Sequence, residues 1–161
     1  MSEEISSYEA FAWQRPFPFI SQWKIEPESI DHYYHTNNTA YLKRLESLAW
    51  EHSNALGMNF ENYRDLDRAM VITKHELNYH FATHLNDELA VATWITHCDK
   101  KFRLTRFFEF INVFTQKTVF TATTDFVCVC LSSGAPKRMP KEFIEVYSNA
   151  NQTTLLADIG A

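Results

Sequence analysis

The sequence predicts an α+β protein in which an antiparallel β-sheet curls around one long helix. The first observation is a stretch of helical periodicity between Asn38 and Leu56. The second is a series of four segments after about residue 68 that are rich in Val, Ile, Thr and aromatic residues, as strands are. The third is that short separators join these segments, which favours hairpins over helical crossovers. The β-rich half needs an apolar element to pack against, and the sequence offers one convincing helix.

Length and composition predict a single domain. The chain has 161 residues, of which 45% are hydrophobic, which is enough for one core but too little for two. We assign residues 1–161 to one domain with its core at about 17–143, an N-terminal extension at 1–16 and a C-terminal tail at 144–161. The extension looks poorly structured, and the final stretch of the tail is expected to be disordered.

The elements that precede the sheet follow from local signals. Residues 16–25 form a predicted aromatic-rich strand, and residues 26–29 form a turn. The long helix is expected to begin at a group of three residues whose side chains can accept hydrogen bonds from its first turn, and to end at Gly57. The three capping residues are Thr36, Asn37 and Asn38.

The four later segments are predicted to form a meander of antiparallel strands. In the segment 102–114 both faces carry apolar residues, so we expect the helix to cover one face and another subunit to cover the other. The four segments are 69–81, 88–99, 102–114 and 118–131, and their separators are 82–87, 100–101 and 115–117.

Charge and composition exclude several classes of function. The net charge is −5 and the basic residues form only two small groups, so nucleic acid is not an expected partner. Three glycines leave no material for a glycine-rich phosphate loop. Because the chain starts with acidic residues and has no long apolar run, we expect it to be neither secreted nor membrane-spanning. Its three cysteines suit a reducing cytoplasm. The basic groups are Lys100, Lys101 and Arg103, and Lys137 and Arg138.

A polar cluster stands directly before the long helix. Between Asp31 and Asn38 the chain has one carboxylate, two histidines, two tyrosines and two asparagines. Turn and capping roles are an alternative explanation for these residues, and for Asp31 the residue type alone favours that explanation. His32 and His35 lack further ligands at recognisable spacing, so no metal site is predicted.

The motif in this cluster resembles that of a known family. Residues 31–46, DHYYHTNNTAYLKRLE, resemble the D-x-x-G-H-x-N-N-x-x-Y-L-x-x-x-E signature of the hot-dog-fold, 4-hydroxybenzoyl-CoA thioesterase-like acyl-CoA thioesterases. The similarity continues at ELNYHFATHLNDELAV and, more weakly, at APKRMP, and it covers about residues 17–143. One position departs from the signature, because Tyr34 stands where the family has glycine. The matching positions are Asp31, His35, Asn37, Asn38, Tyr41, Leu42 and Glu46.

The resemblance implies a hot-dog fold and a thioesterase. Such a protein hydrolyses an acyl-CoA to a free acid and coenzyme A, needs no cofactor, and forms a homodimer or a dimer of dimers with active sites at the subunit interface. The form of the motif is similar to that of the fatty-acyl members, so a medium or long acyl chain is expected. The alternative is a hot-dog dimer that binds acyl-CoA or acyl carrier protein without hydrolysis, which the Tyr34 departure favours.

The resemblance assigns the candidate catalytic residues. Asp31 either attacks the thioester carbonyl or activates a water molecule, and the sequence does not choose between these routes. Asn38 is the candidate oxyanion donor, through its backbone N–H at the helix start, and His35 is the third catalytic candidate. Glu46 is expected to have a supporting role. The predicted substrate-binding residues are Tyr34, Asn37, Lys137 and Arg138, the last two for the phosphates of coenzyme A.

Overall fold

In the computed structural model, which describes residues 2–160, five strands form one antiparallel sheet and five α-helices accompany it. The predicted α+β class is therefore confirmed. The strands are β1 (Phe19–Lys24), β2 (Arg68–Tyr79), β3 (Glu88–Cys98), β4 (Arg103–Asn112) and β5 (Thr118–Cys130). The helices are α1 (Glu3–Tyr8), α2 (Asn38–Ala55), α3 (Phe60–Asp65), α4 (Lys141–Asn149) and α5 (Gln152–Ile159), and a 3-10 turn covers Pro27–Ser29.

The strand order corrects the predicted meander. The order is β1-β3-β4-β5-β2, so β2 pairs with β5 and not with β3. β1 pairs antiparallel with β3 from Phe19 opposite Thr93 to Lys24 opposite Glu88. β3 has β1 on one side and β4 on the other, so neither of its edges is open to β2. β2 instead pairs with β5, on the side of β5 that does not face β4. The connection 82–87 is consequently a crossover, and its short length misled the hairpin prediction.

The chain forms two compact units, each with its own hydrophobic core. The first contains residues up to 49, Leu77–Thr93 and Phe108–Ala122, and the second contains Trp50–Glu76, Trp94–Phe107 and the residues from 123 onward. In the first core, the side chains of α2 recur at helical spacing and pack against aromatic residues of β4 and β5. Burying each of these side chains contributes about 1.5–3 kcal/mol. They are Tyr41, Leu45 and Leu48 from α2, and Phe108, Phe110 and Phe120 from the strands.

The N-terminal extension is structured, contrary to the prediction. α1 ends at Tyr8, which is 6% exposed, and the indole Nε1–H of Trp13 donates to the Tyr8 carbonyl at 2.9 Å. The backbone N–H of Gln14 donates to Oε2 of Glu109 at 2.9 Å. Glu109 directly follows Phe108 on β4, and successive side chains of a strand point to opposite faces of the sheet. Because Phe108 packs in the core with the side chains of α2, Glu109 faces the other side of the sheet. In this unit, residues of the same chain thus cover part of the face for which the sequence predicted cover by another subunit.

The C-terminal tail is also structured. α4 and α5 occupy most of it, although the sequence predicted that its final stretch would be disordered. Phe143 and Tyr147 stand four residues apart on α4 and are both fully buried in the core of the second unit. The Asn151 side chain accepts a hydrogen bond from the N–H of Thr153 and caps α5. The sequence analysis missed the helical spacing of Phe143 and Tyr147 because polar residues dominate the end of the chain.

A buried polar network lies in the second unit. Arg106 is 2% exposed, and its guanidinium contacts His52 Nδ1 at 2.8 Å and donates to Ser53 Oγ at 3.0 Å. Ser53 Oγ also lies 3.2 Å from the Tyr147 hydroxyl, which hydrogen bonds to the Tyr63 hydroxyl. Because a guanidinium always donates, His52 Nδ1 is the acceptor and the imidazole is neutral. Burial, and then the nearby Arg106 charge, lower the pKa of His52 to about 3.

His52 is expected to make stability depend on pH. The folded-state pKa of His52 is about 3, below the ordinary value of 6.5. Between these two pH values, the unfolded chain binds a proton at His52 that the folded chain does not. The free energy of unfolding therefore falls as the pH falls through this range, by at most about 1.4 kcal/mol per pH unit from this group. In His52→Asn, whose amide oxygen can accept from Arg106, urea unfolding between these pH values should show a shallower slope.

His97 offers the matched control for that measurement. It is an exposed histidine of β3, so His97→Asn should keep the slope of the parent protein. A slope that is unchanged in His52→Asn would show that other groups cause the dependence.

Candidate functional site

The polar cluster lies in the first unit, where it faces the end of β2. Two segments, 31–41 and 79–83, are joined there by a chain of hydroxyl groups. Thr83 Oγ1 lies 2.6 Å from both Thr36 Oγ1 and the Tyr41 hydroxyl, and the N–H of Thr36 donates to the Thr83 carbonyl at 2.8 Å. Thr83 is fully buried, so these groups satisfy one another away from water and hold the two segments together.

A cavity of about 210 Å³ lies between the two segments. It brings together all three predicted catalytic residues, Asp31, His35 and Asn38. Tyr34 and Asn37 are not among its lining residues. The complete lining consists of Asp31, His35, Thr36, Asn38, Tyr41, Tyr79, His80, Phe81 and Ala82.

The Asp31 carboxylate is oriented by the loop that carries it. Its Oδ1 accepts hydrogen bonds from the N–H groups of Tyr33 at 2.8 Å and His35 at 3.2 Å. Its own N–H donates to the His35 carbonyl at 2.8 Å. Asp31 therefore has the turn-forming role that the sequence offered as an alternative, and it lines the cavity as well. Since the loop holds Oδ1, Oδ2 is the oxygen that can act on a substrate.

Tyr34 adopts the backbone conformation that glycine would have at this position. Its φ of 61° lies in the left-handed region, and its N–H donates to the Asp31 carbonyl at 3.1 Å. The side chain is 82% exposed, so the ring meets no steric obstacle. The departure at Tyr34 therefore changes the side chain and keeps a turn that favours glycine, at a cost in backbone strain.

That strain predicts a stability gain in Tyr34→Gly. Glycine relieves the left-handed strain but adds conformational entropy to the unfolded chain, so we expect a net gain of about 0.5–1 kcal/mol. Tyr34→Ala keeps a Cβ at the same φ and should give no gain. Urea unfolding of the three proteins at neutral pH measures the difference, and a Tyr34→Gly variant less stable than the parent would show that the exposed ring contributes to folding.

The two asparagines at the helix start have different roles. Asn37 Oδ1 accepts from the N–H of Thr39 at 3.0 Å and from its hydroxyl at 2.9 Å, so Asn37 caps α2. Asn38 is the first residue of α2, and its carbonyl accepts from the Tyr79 hydroxyl at 3.1 Å. Within residues 2–160, no acceptor is bonded to the Asn38 N–H. This N–H, at the positive end of the helix dipole, can donate to a developing oxyanion in the cavity.

Two histidines line the cavity. The ring of His35 meets the ring of His84 edge to face, with their centroids 5.2 Å apart. His80 Nε2 lies 2.9 Å from the Thr121 hydroxyl. The sequence analysis predicted His35 but missed His80, which it saw as one of several scattered histidines. The available signal was the position of His80 at the end of a strand in the second stretch that resembles the family.

The remaining predicted residues are not among the residues that line the cavity. Lys137 and Arg138 belong to the second unit and are exposed, with the Arg138 guanidinium 5.7 Å from the centre of the Phe102 ring. Glu46 is exposed on α2. The roles of these three residues stay predictions. Within residues 2–160, no cluster of three or more His, Cys, Asp or Glu side chains could hold a metal ion.

Comparison with known families then decides the family of the chain. A model of the thioesterase-like superfamily matches residues 25–146, which include the whole cavity lining. The chain belongs to the thioesterase-like superfamily. No curated protein sequence matches it significantly. Among the described helices, none combines the length and the apolar character needed to cross a membrane.

Solved structures share the fold at low sequence identity, and they confirm the predicted hot-dog fold. A DHNA-CoA thioesterase from Staphylococcus aureus is 17% identical, with a TM-score of 0.78 over 89% of this chain and 95% of the other. A 1,4-dihydroxy-2-naphthoyl-CoA thioesterase from Synechocystis is 16% identical, with a TM-score of 0.72 over 83% and 95% of the two chains. A Staphylococcus aureus protein solved in complex with CoA is 16% identical, with a TM-score of 0.76 over 86% and 89%.

Proposed function

We propose that this protein is an acyl-CoA thioesterase that releases a free carboxylic acid and coenzyme A, with a medium- or long-chain fatty acyl group as its substrate. The observation that carries the proposal is that the Asp31 carboxylate and the start of α2 line one cavity. Membership of the thioesterase-like superfamily supports it. So do the fold neighbours whose names record CoA thioester hydrolysis or bound CoA.

The geometry suits both routes of thioester hydrolysis. In one, Asp31 takes a proton from a water molecule that attacks the carbonyl carbon, and in the other Asp31 attacks that carbon itself to give a mixed anhydride. Both routes build negative charge on the carbonyl oxygen. The Asn38 N–H and the α2 dipole can stabilise this charge, and one such donor typically contributes about 10²–10³-fold in rate. The reaction needs no cofactor, because coenzyme A is part of the substrate.

The first test is release of thiol from short-chain, long-chain and aromatic acyl-CoAs by the purified protein. Turnover with a preference for long chains is the expected result. A preference for aromatic groups would keep the thioesterase and reject the fatty-acyl assignment. Binding of acyl-CoA with no thiol release from any substrate would favour the alternative, a hot-dog dimer that binds acyl-CoA or acyl carrier protein without hydrolysis.

We further propose that the protein acts in the cytoplasm as a homodimer or a dimer of dimers. The free thiols of Cys98, Cys128 and Cys130 suit a reducing compartment. β2 is an edge strand of 12 residues that includes the exposed Val71 and Ile72, and such an edge can pair with another strand. Light scattering at working concentrations should therefore give at least twice the mass of the chain, and a monodisperse monomer would contradict the proposal.

A further inference from the structure

We propose that His80 is a catalytic residue that gives its proton to the leaving sulfur as the C–S bond of the thioester breaks. The inference rests on the proposed function and adds a second group to its chemistry. Asp31 and His80 line the same cavity of about 210 Å³. A thioester held in this space can therefore reach both side chains.

The exposed His80 is positioned by hydrogen bonds of its backbone and its side chain to β5. It directly follows β2, and its N–H donates to the Val119 carbonyl at 2.8 Å. Its Nε2 lies 2.9 Å from the hydroxyl of Thr121, which is 7% exposed. The preceding residue, Tyr79, donates to the Asn38 carbonyl at 3.1 Å. The imidazole is thus tied to β5 on one side, and its neighbour is tied to the start of α2 on the other.

The Thr121 contact also selects the nitrogen that can meet a substrate. With Nε2 engaged by Thr121, Nδ1 is the nitrogen left for the cavity. The other titratable groups that line the cavity are less suited to deliver the proton. Burial raises the pKa of both Tyr41 and Tyr79, so their phenols release protons less readily, and the ring of His35 packs against His84.

The proton balance closes on both routes. When the C–S bond breaks, its electron pair goes to sulfur, the oxyanion re-forms the carbonyl, and the His80 imidazolium protonates the sulfur to give the thiol of coenzyme A. If Asp31 is the base, it holds the proton of the attacking water and returns it to the imidazole through solvent. If Asp31 is the nucleophile, it carries the acyl group and has no proton to give, so His80 supplies the one that sulfur needs. Water then cleaves the anhydride to give the free acid and the Asp31 carboxylate, and the proton released in this step restores the His80 imidazolium through solvent.

The test compares two leaving groups that carry the same acyl chain. A coenzyme A thiolate is a basic leaving group that benefits from protonation, whereas an aryl thiolate leaves readily without it. We expect His80→Gln to lower kcat/KM for the acyl-CoA by about 10²-fold, within the range of general acid catalysis, and for the aryl thioester by less than about threefold. The parent protein and the variant are compared on both substrates, with urea unfolding to confirm that the variant is folded.

His75 supplies the matched control. It lies on β2, and its Nδ1 makes the same kind of contact with Thr124 Oγ1, at 2.8 Å, but it does not line the cavity. His75→Gln should therefore leave both rates near those of the parent protein. Equal losses on both substrates in His80→Gln would assign His80 a structural role and overturn the proposal, as would no loss on either. Failure of the parent protein to cleave any thioester would instead overturn the proposed function itself.

Discussion

Asp31→Asn is expected to lower kcat for acyl-CoA hydrolysis by at least about 100-fold, since general base catalysis alone contributes about 10²–10⁴-fold. An amide neither accepts the proton of water nor attacks a thioester under these conditions. Its oxygen can still accept the two N–H bonds that the loop directs at Oδ1, so the loop should keep its conformation. The change therefore removes the chemistry of Asp31 and leaves its structural role in place.

Three measurements make this prediction specific to the site. Thiol release gives kcat, calorimetric titration with an acyl-CoA gives affinity, and urea unfolding gives stability. We expect kcat to collapse in Asp31→Asn, whereas its affinity for acyl-CoA and its stability should stay close to those of the parent protein. Asp65→Asn, at an exposed position of α3, should change none of them. Retention of more than about a tenth of the activity in Asp31→Asn would mean that another group performs the reaction.

Arg106→Ala is expected to lower the free energy of unfolding by about 3–5 kcal/mol, because it opens a cavity in the core and removes the donors that contact His52 and Ser53. An effect of this size is a large part of the stability of an ordinary domain. The loss should appear as a lower urea midpoint. Arg106, His52 and Ser53 all belong to the second unit.

Two variants separate the origins of this loss. Arg106→Met fills much of the same volume without donors, so the difference between the Met and Ala variants reports the cavity, and the remainder reports the lost hydrogen bonds. Arg103→Ala truncates an exposed arginine on the same strand and should change stability by less than about 0.5 kcal/mol. A loss below about 1 kcal/mol in Arg106→Ala would show that the buried network contributes little net stability.

Local signals in the sequence were sufficient for most of the elements. The helix starts at Asn38, as the capping residues predicted, because Asn37 satisfies the first turn through its own side chain. The four later strands lie close to the predicted ranges, since alternation and β-branched residues are properties of a segment by itself. The motif likewise led to Asp31, His35 and Asn38, which line one cavity.

Features that depend on distant pairing could not be read in the same way. The pairing of β2 with β5 depends on which strand edges remain open after β1 has joined β3. His80 enters the cavity because the end of β2 lies beside the start of α2, which no local pattern records. Arg106 looks like a solvated charge in its own strand, and only its contacts with His52 and Ser53 explain its burial.

The N-terminal extension has a consequence for how many copies can assemble. Glu109 is fully buried and accepts hydrogen bonds from the Gln14 N–H and, at 2.7 Å, from the Thr118 hydroxyl. Two copies that stacked through this face of the first unit would first have to displace residues 13–14. The Glu109 carboxylate would then lose the hydrogen bond from the Gln14 N–H, at a cost of about 1–3 kcal/mol or more. If copies of the chain assemble as proposed, the N-terminal extension therefore disfavours contacts through that face, and the edge of β2 stays available for pairing.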